Sequence, residues 1–245
     1  MAGHTKSVSG QRRDTNNWRM MQNLNDEVAE RVRYSRKTIT PSGYFGDSEK
    51  NIVEIENFMT EEEQSYLLEF AKNNKHWDIT ESQWNENGNI IYDHRVWENR
   101  VATLKTLEKT DPKVIEILNA VIDRLKVTIE DYFNVEAWPT YPAIVRWPVG
   151  SMQFPHADKE LHEGPDAGTP NEFPWYDIGT VFYLNDDYVG GELYFPKQNI
   201  TFKTKSRGAY FFPGDMNYIH GVNVVKEGTR YTCPFFWTIT KLGRD

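Results

Sequence analysis

Three side chains in this 245-residue chain carry a pattern that implies chemistry: His156 and Asp158, in His156-Ala157-Asp158, and His220 further along. On a strand, residues i and i+2 point to the same face, so at a strand end His156 and Asp158 reach a common cation. The third ligand has to come from elsewhere in the fold, and His220 follows a strong strand and the turn-rich stretch Gly214-Asp215-Met216-Asn217-Tyr218-Ile219. Two imidazoles and one carboxylate on one face of an octahedron leave three positions open, the donor set that holds iron(II) for work with O2 and a chelating cosubstrate. A His-x-Asp tripeptide alone is common by chance and reads more readily as a surface histidine beside an acidic turn. The surrounding pattern has to decide. His162, in His162-Glu-Gly-Pro-Asp, reads as a loop histidine, since the triad is complete without it.

Arg230 opens the last strand pattern. There Arg230, Thr232, Pro234 and Phe236 alternate with Tyr231, Cys233, Phe235 and Trp237, so Arg230 and Thr232 share a face. An arginine on the inner face of a barrel needs a fixed anionic partner; on an edge strand it is simply solvated.

The elements that must position these groups change character along the chain. Residues 1–17 are polar and read as disordered, Trp18 to Arg33 has helical spacing, and residues 34–50, with Pro41, Gly43 and Gly46, read as a linker. This suggests an N-terminal extension over 1–50 and a folded domain over 51–245. Ile52 to Ile55 reads as a strand. Thr60 with Glu63 forms a capping box ahead of a helix carrying Tyr66, Leu67, Phe70 and Ala71. Asp111-Pro112 opens a second helix, whose stripe runs Val114, Ile115, Leu118, Val121, Ile122, Leu125 and Ile129 and requires a partner surface. Beyond about residue 140 the chain breaks into short strands, near 143–147, 178–184, 191–195, 200–205, 208–212, 219–225 and 230–240. Turn chemistry such as Asn185-Asp186-Asp187 separates them. That is the pattern of a sandwich, jelly roll or barrel, mainly β with flanking helices.

Composition narrows the classes. With 38% hydrophobic and 14% aromatic residues, the chain can fill a sizeable core. A net charge of -8 and the absence of a long Lys/Arg block argue against nucleic acid as a partner. The single cysteine, Cys233, excludes an intrachain disulfide, fits a reducing compartment and reads as a small core residue. No apolar run approaches the roughly 18 residues of a membrane span, and Met1 to Gln22 lacks the apolar core of a secretory signal. The expectation is a soluble cytoplasmic protein.

Six stretches, in order, then carry a resemblance. They are Trp147-Pro-Val-Gly-Ser-Met-Gln-Phe-Pro-His-Ala-Asp158, Gly179-Thr-Val-Phe-Tyr-Leu-Asn185, Gly190-Gly-Glu-Leu-Tyr-Phe-Pro196, Gly208-Ala-Tyr-Phe-Phe-Pro213, His220-Gly-Val and Gly228-Thr-Arg230. Over roughly 140–240 the chain resembles the prolyl 4-hydroxylase-like branch of the 2-oxoglutarate- and iron(II)-dependent dioxygenases. The resemblance implies a double-stranded β-helix, a jelly-roll barrel related to the cupins. It implies Fe(II) on His156, Asp158 and His220, 2-oxoglutarate and O2 as cosubstrates, and ascorbate as a supporting reductant. Arg230 matches the residue that pairs with the distal carboxylate of 2-oxoglutarate, and Tyr183 a position that hydrogen-bonds the same carboxylate. Thr232, Gln153 and Trp147 complete the expected cosubstrate pocket; many relatives have tyrosine where this chain has Trp147 and Gln153. An aspartate at 158 argues against the halogenating variants.

The implied reaction is hydroxylation of an aliphatic C–H, with a prolyl residue of a peptide or protein as the leading substrate. Two aromatic-bearing loops, Glu81 to Arg100 and Leu161 to Asp177, are candidates for the substrate groove through Tyr92, Trp97, Trp175 and Tyr176. Hydroxylation of a free amino acid or other small molecule is the first alternative; a non-catalytic metal-binding jelly-roll module is the second.

Overall fold

A computed structural model of the chain describes residues 39–78, 83–84, 90–92, 97–171 and 173–239. The helix expected over Trp18 to Arg33 lies outside the described residues, as does the side chain of Tyr92.

Two helices form where local signals are strongest. In α1 (Glu61–Asn73), the Thr60 hydroxyl accepts from Glu63 N and the Glu63 carboxylate accepts from Thr60 N, the expected capping box. In α3 (Pro112–Phe133), the Asp111 carboxylate accepts from Lys113 N and proline stands in the first turn. Asn134 ends α3 in the left-handed region. A shorter helix, α2 (Leu104–Thr110), precedes it.

The strands are β1 (Val53–Ile55), β2 (Gln83–Trp84), β3 (Ile90–Tyr92), β4 (Val101–Ala102), β5 (Trp138–Pro139), β6 (Ile144–Trp147), β7 (Gln153–His156) and β8 (Ile178–Tyr183). They continue with β9 (Val189–Gly190), β10 (Leu193–Phe195), β11 (Ile200–Phe202), β12 (Ala209–Pro213), β13 (His220–Val222), β14 (Val225–Glu227) and β15 (Arg230–Thr238). A seven-stranded sheet runs β1-β12-β8-β15-β6-β4, with β5 also on β15, and a four-stranded sheet runs β11-β10-β13-β7. Every pairing in both is antiparallel. The small pairs β9–β14 and β2–β3 lie apart from these.

Alternation along the large sheet sorts side chains into two cores. Ile178 and Phe182 of β8, Ala209 and Phe211 of β12, and Cys233, Phe235 and Trp237 of β15 face the helices. There they meet Leu67, Val114, Leu118, Val121, Leu125 and Ile129. This is the surface that the α3 stripe requires. On the opposite face Tyr183, Tyr210 and Phe212 pack against Leu193 and Phe195 of the small sheet and against Tyr218. The two sheets thus enclose an interior, and the fold is a double-stranded β-helix with helices against one outer face.

Several strands differ from expectation. The run near 191–195 narrows to β10, with β9 formed just ahead of it, the run near 219–225 resolves into β13 and β14, and the strand from 200 stops at Phe202. β4, β5, β7 and α2 have no counterpart among the expected elements; the first two are two-residue strands, too short for a period-2 signal. The stretch read as a linker differs most: residues 40–51 are hydrogen-bonded to the barrel through Thr40, Ser42, Gly43, Gly46, Ser48 and Asn51. Its glycines turn the chain at positive φ, 74° at Gly43 and 75° at Gly46, and release nothing.

Leu118, fully buried between α3 and the sheet, provides a measure of that outer core. Leu118→Ala is expected to cost about 2–5 kcal/mol in urea unfolding and to leave divalent-metal affinity of the folded protein unchanged.

Candidate metal centre

His156 ends β7, His220 begins β13, and the two are direct cross-strand partners. Their side chains therefore share the inner face, with ring centroids 4.4 Å apart. Asp158 lies past the end of β7, in a bend. The same-face argument from strand alternation therefore covers His156 only; Asp158 is delivered by the turn, which is pinned where Lys159 N donates to Gly214 O at 3.0 Å. Asp158 Oδ1 stands 3.6 Å from His156 Nε2 and 3.7 Å from His220 Nε2. One ligand atom from each residue falls within 4.8 Å of the others. Ligand atoms bound about 2 Å from one ion have such separations.

Both imidazoles are oriented from behind. His156 Nδ1 meets Phe154 O at 2.9 Å and His220 Nδ1 meets Tyr218 O at 3.1 Å. A carbonyl only accepts, so each Nδ1 carries the proton and each Nε2 presents its lone pair inward. Burial of His220, packed by Phe212 at 4.4 Å and Phe195 at 5.6 Å, pushes its pKa down to about 4 and keeps the ring neutral. At His156 burial acts in the same direction, but the hydrogen bond and charge of Asp158 outweigh it and the pKa is raised.

The carboxylate has room because two neighbours are glycines. A Cβ on Gly179 would come within 2.5 Å of Asp158 Oδ2 and 3.0 Å of Phe212. A Cβ on Gly214 would collide with Tyr176 O and approach Asp158 Cβ at 3.1 Å. Asp158 Oδ2 is buried without a hydrogen-bond partner among the described residues. A buried carboxylate oxygen lacking a donor is strongly disfavoured unless a cation joins it. The donor set and that orphaned oxygen fit a divalent ion.

Gln153 reaches the same place through an irregularity. Val222 pairs with Gln153 and His220 with His156, so β7 carries one extra residue and the register shifts between them. Strict alternation would turn Gln153 away from His156. The bulge returns it to the shared face, leaves Phe154 73% exposed, and sets Gln153 Nε2 3.1 Å from His156 Nε2. In this state the amide caps the coordinating lone pair, so a metal ion and that hydrogen bond exclude each other.

The opposite end of the interior holds a buried cation. Arg230 is 2% exposed. Its Nη2 donates to Tyr183 Oη at 2.7 Å, while Nε and Nη1 find no partner among the described residues. The guanidinium lies over the Trp147 ring at 4.6 Å and the Tyr183 ring at 4.8 Å. Trp147 is opposite Arg230 in the β15–β6 register, and its Nε1 donates to Thr232 Oγ1 at 3.0 Å, which frees the threonine proton for another acceptor. Tyr188, pushed up to about 12 by burial and hydrogen-bonded to Thr204 at 2.6 Å, closes this end. The triad is at the Gly179 end of β8 and the arginine at the Tyr183 end, four residues or roughly 13 Å along the strand. A ligand that satisfies both ends needs a metal-binding group at one end and an anion at the other.

No protein-family model matches the sequence, and no match to it was found among curated proteins. Solved structures do match. A prolyl hydroxylase from Trichoplax adhaerens, in complex with a hypoxia inducible factor oxygen degradation domain peptide fragment, superposes with a TM-score of 0.56 at 17% identity. That match covers 92% of this chain and 94% of the other. A Pseudomonas putida prolyl-4-hydroxylase gives a TM-score of 0.49 at 13% identity, covering 77% and 92%. A viral collagen prolyl hydroxylase of Paramecium bursaria chlorella virus-1, as its 2-oxoglutarate complex, gives 0.45 at 18% identity, covering 79% and 98%. The chain has the fold of the 2-oxoglutarate- and iron(II)-dependent oxygenases.

The remaining expected residues fall at different depths within that fold. Trp97 packs edge-on against Trp147, ring centroids 5.4 Å apart, in the cluster with Val145, Val222 and Val225. Tyr176 stacks on Phe236 at 3.8 Å and on Phe173 at 5.0 Å, with Trp175 beside it. Phe236 pairs with Gly179 in the β15–β8 register, which places this aromatic stack next to Asp158. His162 lies near Glu163, its pKa lowered by burial, and does not join the triad cluster. Gly179, Gly214, Tyr188 and Phe236 carry roles that the sequence did not assign. The signal available for Gly179 was a glycine heading an otherwise bulky strand.

Gly179→Ala is expected to weaken manganese(II) or cobalt(II) binding about 10- to 100-fold, the range for displacing a ligand's support. Calorimetric titration checks it, with far-UV circular dichroism showing the fold retained.

Proposed function

We propose that the chain is a 2-oxoglutarate- and Fe(II)-dependent dioxygenase that hydroxylates an aliphatic C–H. The observation that carries this reading is the paired deficit of the interior: a carboxylate short of a cation at one end, a guanidinium short of an anion at the other. A keto-acid with a distal carboxylate, bound to a metal ion, supplies both.

His156, Asp158 and His220 would hold Fe(II), which couples oxidation of 2-oxoglutarate by O2 to oxidation of substrate: R–H, O2 and 2-oxoglutarate give R–OH, succinate and CO2. The chain's own groups bind and orient. Arg230 and Tyr183 Oη anchor the distal carboxylate by charge-assisted and neutral hydrogen bonds, and Thr232 Oγ1 has a proton to add. Trp147 fixes the guanidinium plane and the threonine rotor together. Gln153, released from His156 Nε2, is placed to donate to a group bound beside that ligand. The aromatic interior excludes water and strengthens each of these contacts.

A prolyl residue in a peptide or protein is the substrate class we favour. The Trichoplax protein that shares the fold is a prolyl hydroxylase holding a peptide. The stack of Phe236, Tyr176 and Phe173 beside Asp158 gives an apolar wall suited to a saturated ring. Hydroxylation of a free amino acid remains the second reading of the same wall.

The test is succinate formation from 2-oxoglutarate after anaerobic Fe(II) loading and addition of O2, with and without proline-containing peptides. Wild type is expected to form succinate, faster with a substrate peptide, and His156→Ala to form none. Arg230→Ala should keep metal affinity while weakening 2-oxoglutarate binding by at least about tenfold, for loss of a charged hydrogen bond. Wild-type protein that binds metal but not 2-oxoglutarate would overturn the reading in favour of a metal-binding module.

A further inference from the structure

Residues 40–51 precede the first long helix and lie far in sequence from the triad, yet their polar contacts converge on it. The Thr40 carbonyl accepts from Lys159 Nζ at 2.8 Å. Ser42 Oγ donates to Glu160 Oε2 at 3.1 Å, and Gly43 N donates to Asp215 Oδ2 at 2.9 Å. Tyr218 Oη is a hub: it donates to Gly46 O at 2.8 Å and accepts from Ser48 N at 3.1 Å and Asn51 Nδ2 at 2.7 Å.

Each of those barrel partners is buried and lies within five residues of a triad residue in sequence. Lys159 and Glu160 directly follow Asp158. Lys159 Nζ also pairs with Asp177 at 2.6 Å. Asp215 and Tyr218 belong to the turn that leads into His220, and the Tyr218 carbonyl is the group that orients the His220 ring. Glu160 Oε2 additionally accepts from Met216 N at 2.8 Å, so it ties the Asp158 loop to the His220 turn. Buried charges such as Lys159, Glu160 and Asp215 hold one position only while their partners do.

From this, and resting on the metal-site reading above, we infer that residues 40–51 are a strap that sets the affinity of the metal centre. It fixes the spacing between the Asp158 loop and the His220 turn, and Tyr218 is its principal positioning residue. The β7–β13 pairing holds His156 and the His220 backbone, so the strap acts on the Asp158 loop and, through the Tyr218 carbonyl, on the orientation of the His220 ring. Loosening the strap therefore misplaces Asp158 and turns the His220 ring without unfolding the sheets.

Calorimetric titration of the full chain with manganese(II) or cobalt(II) alone, alongside thermal melts, tests this. Tyr218→Phe removes the hub hydroxyl. Ser42→Ala removes one hydroxyl from an exposed residue and does not threaten the fold. Tyr66→Phe removes a hydroxyl of similar kind, bonded to Asp111 at 2.8 Å at the start of α3, and serves as control. Tyr218→Phe is expected to weaken metal binding about tenfold, Ser42→Ala to weaken it by a smaller factor, and Tyr66→Phe to leave it unchanged. Equal affinity in wild type, Tyr218→Phe and Ser42→Ala overturns the strap while leaving the metal centre standing. Equal weakening in all three variants overturns it also, by showing general destabilisation. Failure of the wild type to bind either ion overturns the metal centre and the strap together.

Discussion

A buried carboxylate at one end of the barrel and a buried guanidinium at the other are each left short of partners, and neither can neutralise the other across the interior. That separation is the constraint on which the remaining architecture depends. Ionised groups removed from water are tolerated when a partner of opposite sign and matching geometry is supplied. Asp158 Oδ2 and the Nε and Nη1 atoms of Arg230 have no such partner within the described residues. The cost falls on the protein before any ligand arrives. It is sustained by the two cores, one between the large sheet and the helices and one between the sheets. The outer core is the larger and includes the long stripe of α3. Stability thus comes mainly from a surface that plays no part in the chemistry, which leaves the interior face free to carry polar groups.

Strand pairing converts that constraint into a site. Register between β7 and β13 makes His156 and His220 neighbours, and register between β15 and β8 sets Phe236 beside Gly179 and Thr232 beside Tyr183. Because side chains alternate with period two, a slip of one residue in either pairing would expel half of these groups from the interior. The bulge in β7 is the exception that the site uses. It lets Gln153 and His156 share a face although their spacing is odd. Glycine at 179 and 214 performs the complementary task of removing a side chain where the Asp158 loop must approach both the sheet and the Tyr176 backbone.

Legibility of the sequence followed the range of the interactions. The capping box at Thr60, the proline start of α3 and its apolar stripe depend on neighbours within a turn or two, and each appears in the structure as read. The ligand types and the shared face of Arg230 and Thr232 were equally readable, because donor chemistry and period-two alternation are local. Three features were not. The two-residue strands β4 and β5 carry no periodic signal of their own and exist because β6 and β15 offer free edges. The bulge at Gln153 reverses an alternation argument and is visible only in the pairing with Val222. The stretch with Pro41, Gly43 and Gly46 has linker composition, but its backbone groups and side chains meet acceptors and donors more than a hundred residues away.

That last case bears on how such a barrel maintains a metal site with two ligands at the end of one strand pair and the third in a connection. Sheets fix backbones at hydrogen-bonded positions and leave the connections between strands comparatively free. Asp158 belongs to a connection, and His220 stands at the first residue of a short strand. Their mutual distance is therefore not determined by the sheets alone. Hydrogen bonds from a third piece of chain to Lys159, Glu160, Asp215 and Tyr218 supply the missing constraint, and they reach residues that are themselves buried. A segment of turn-forming composition suits that purpose better than a helix or strand would. Regular elements spend their backbone groups on themselves or on a sheet neighbour, whereas an irregular segment has N–H and C=O groups to direct at the loops that carry the ligands.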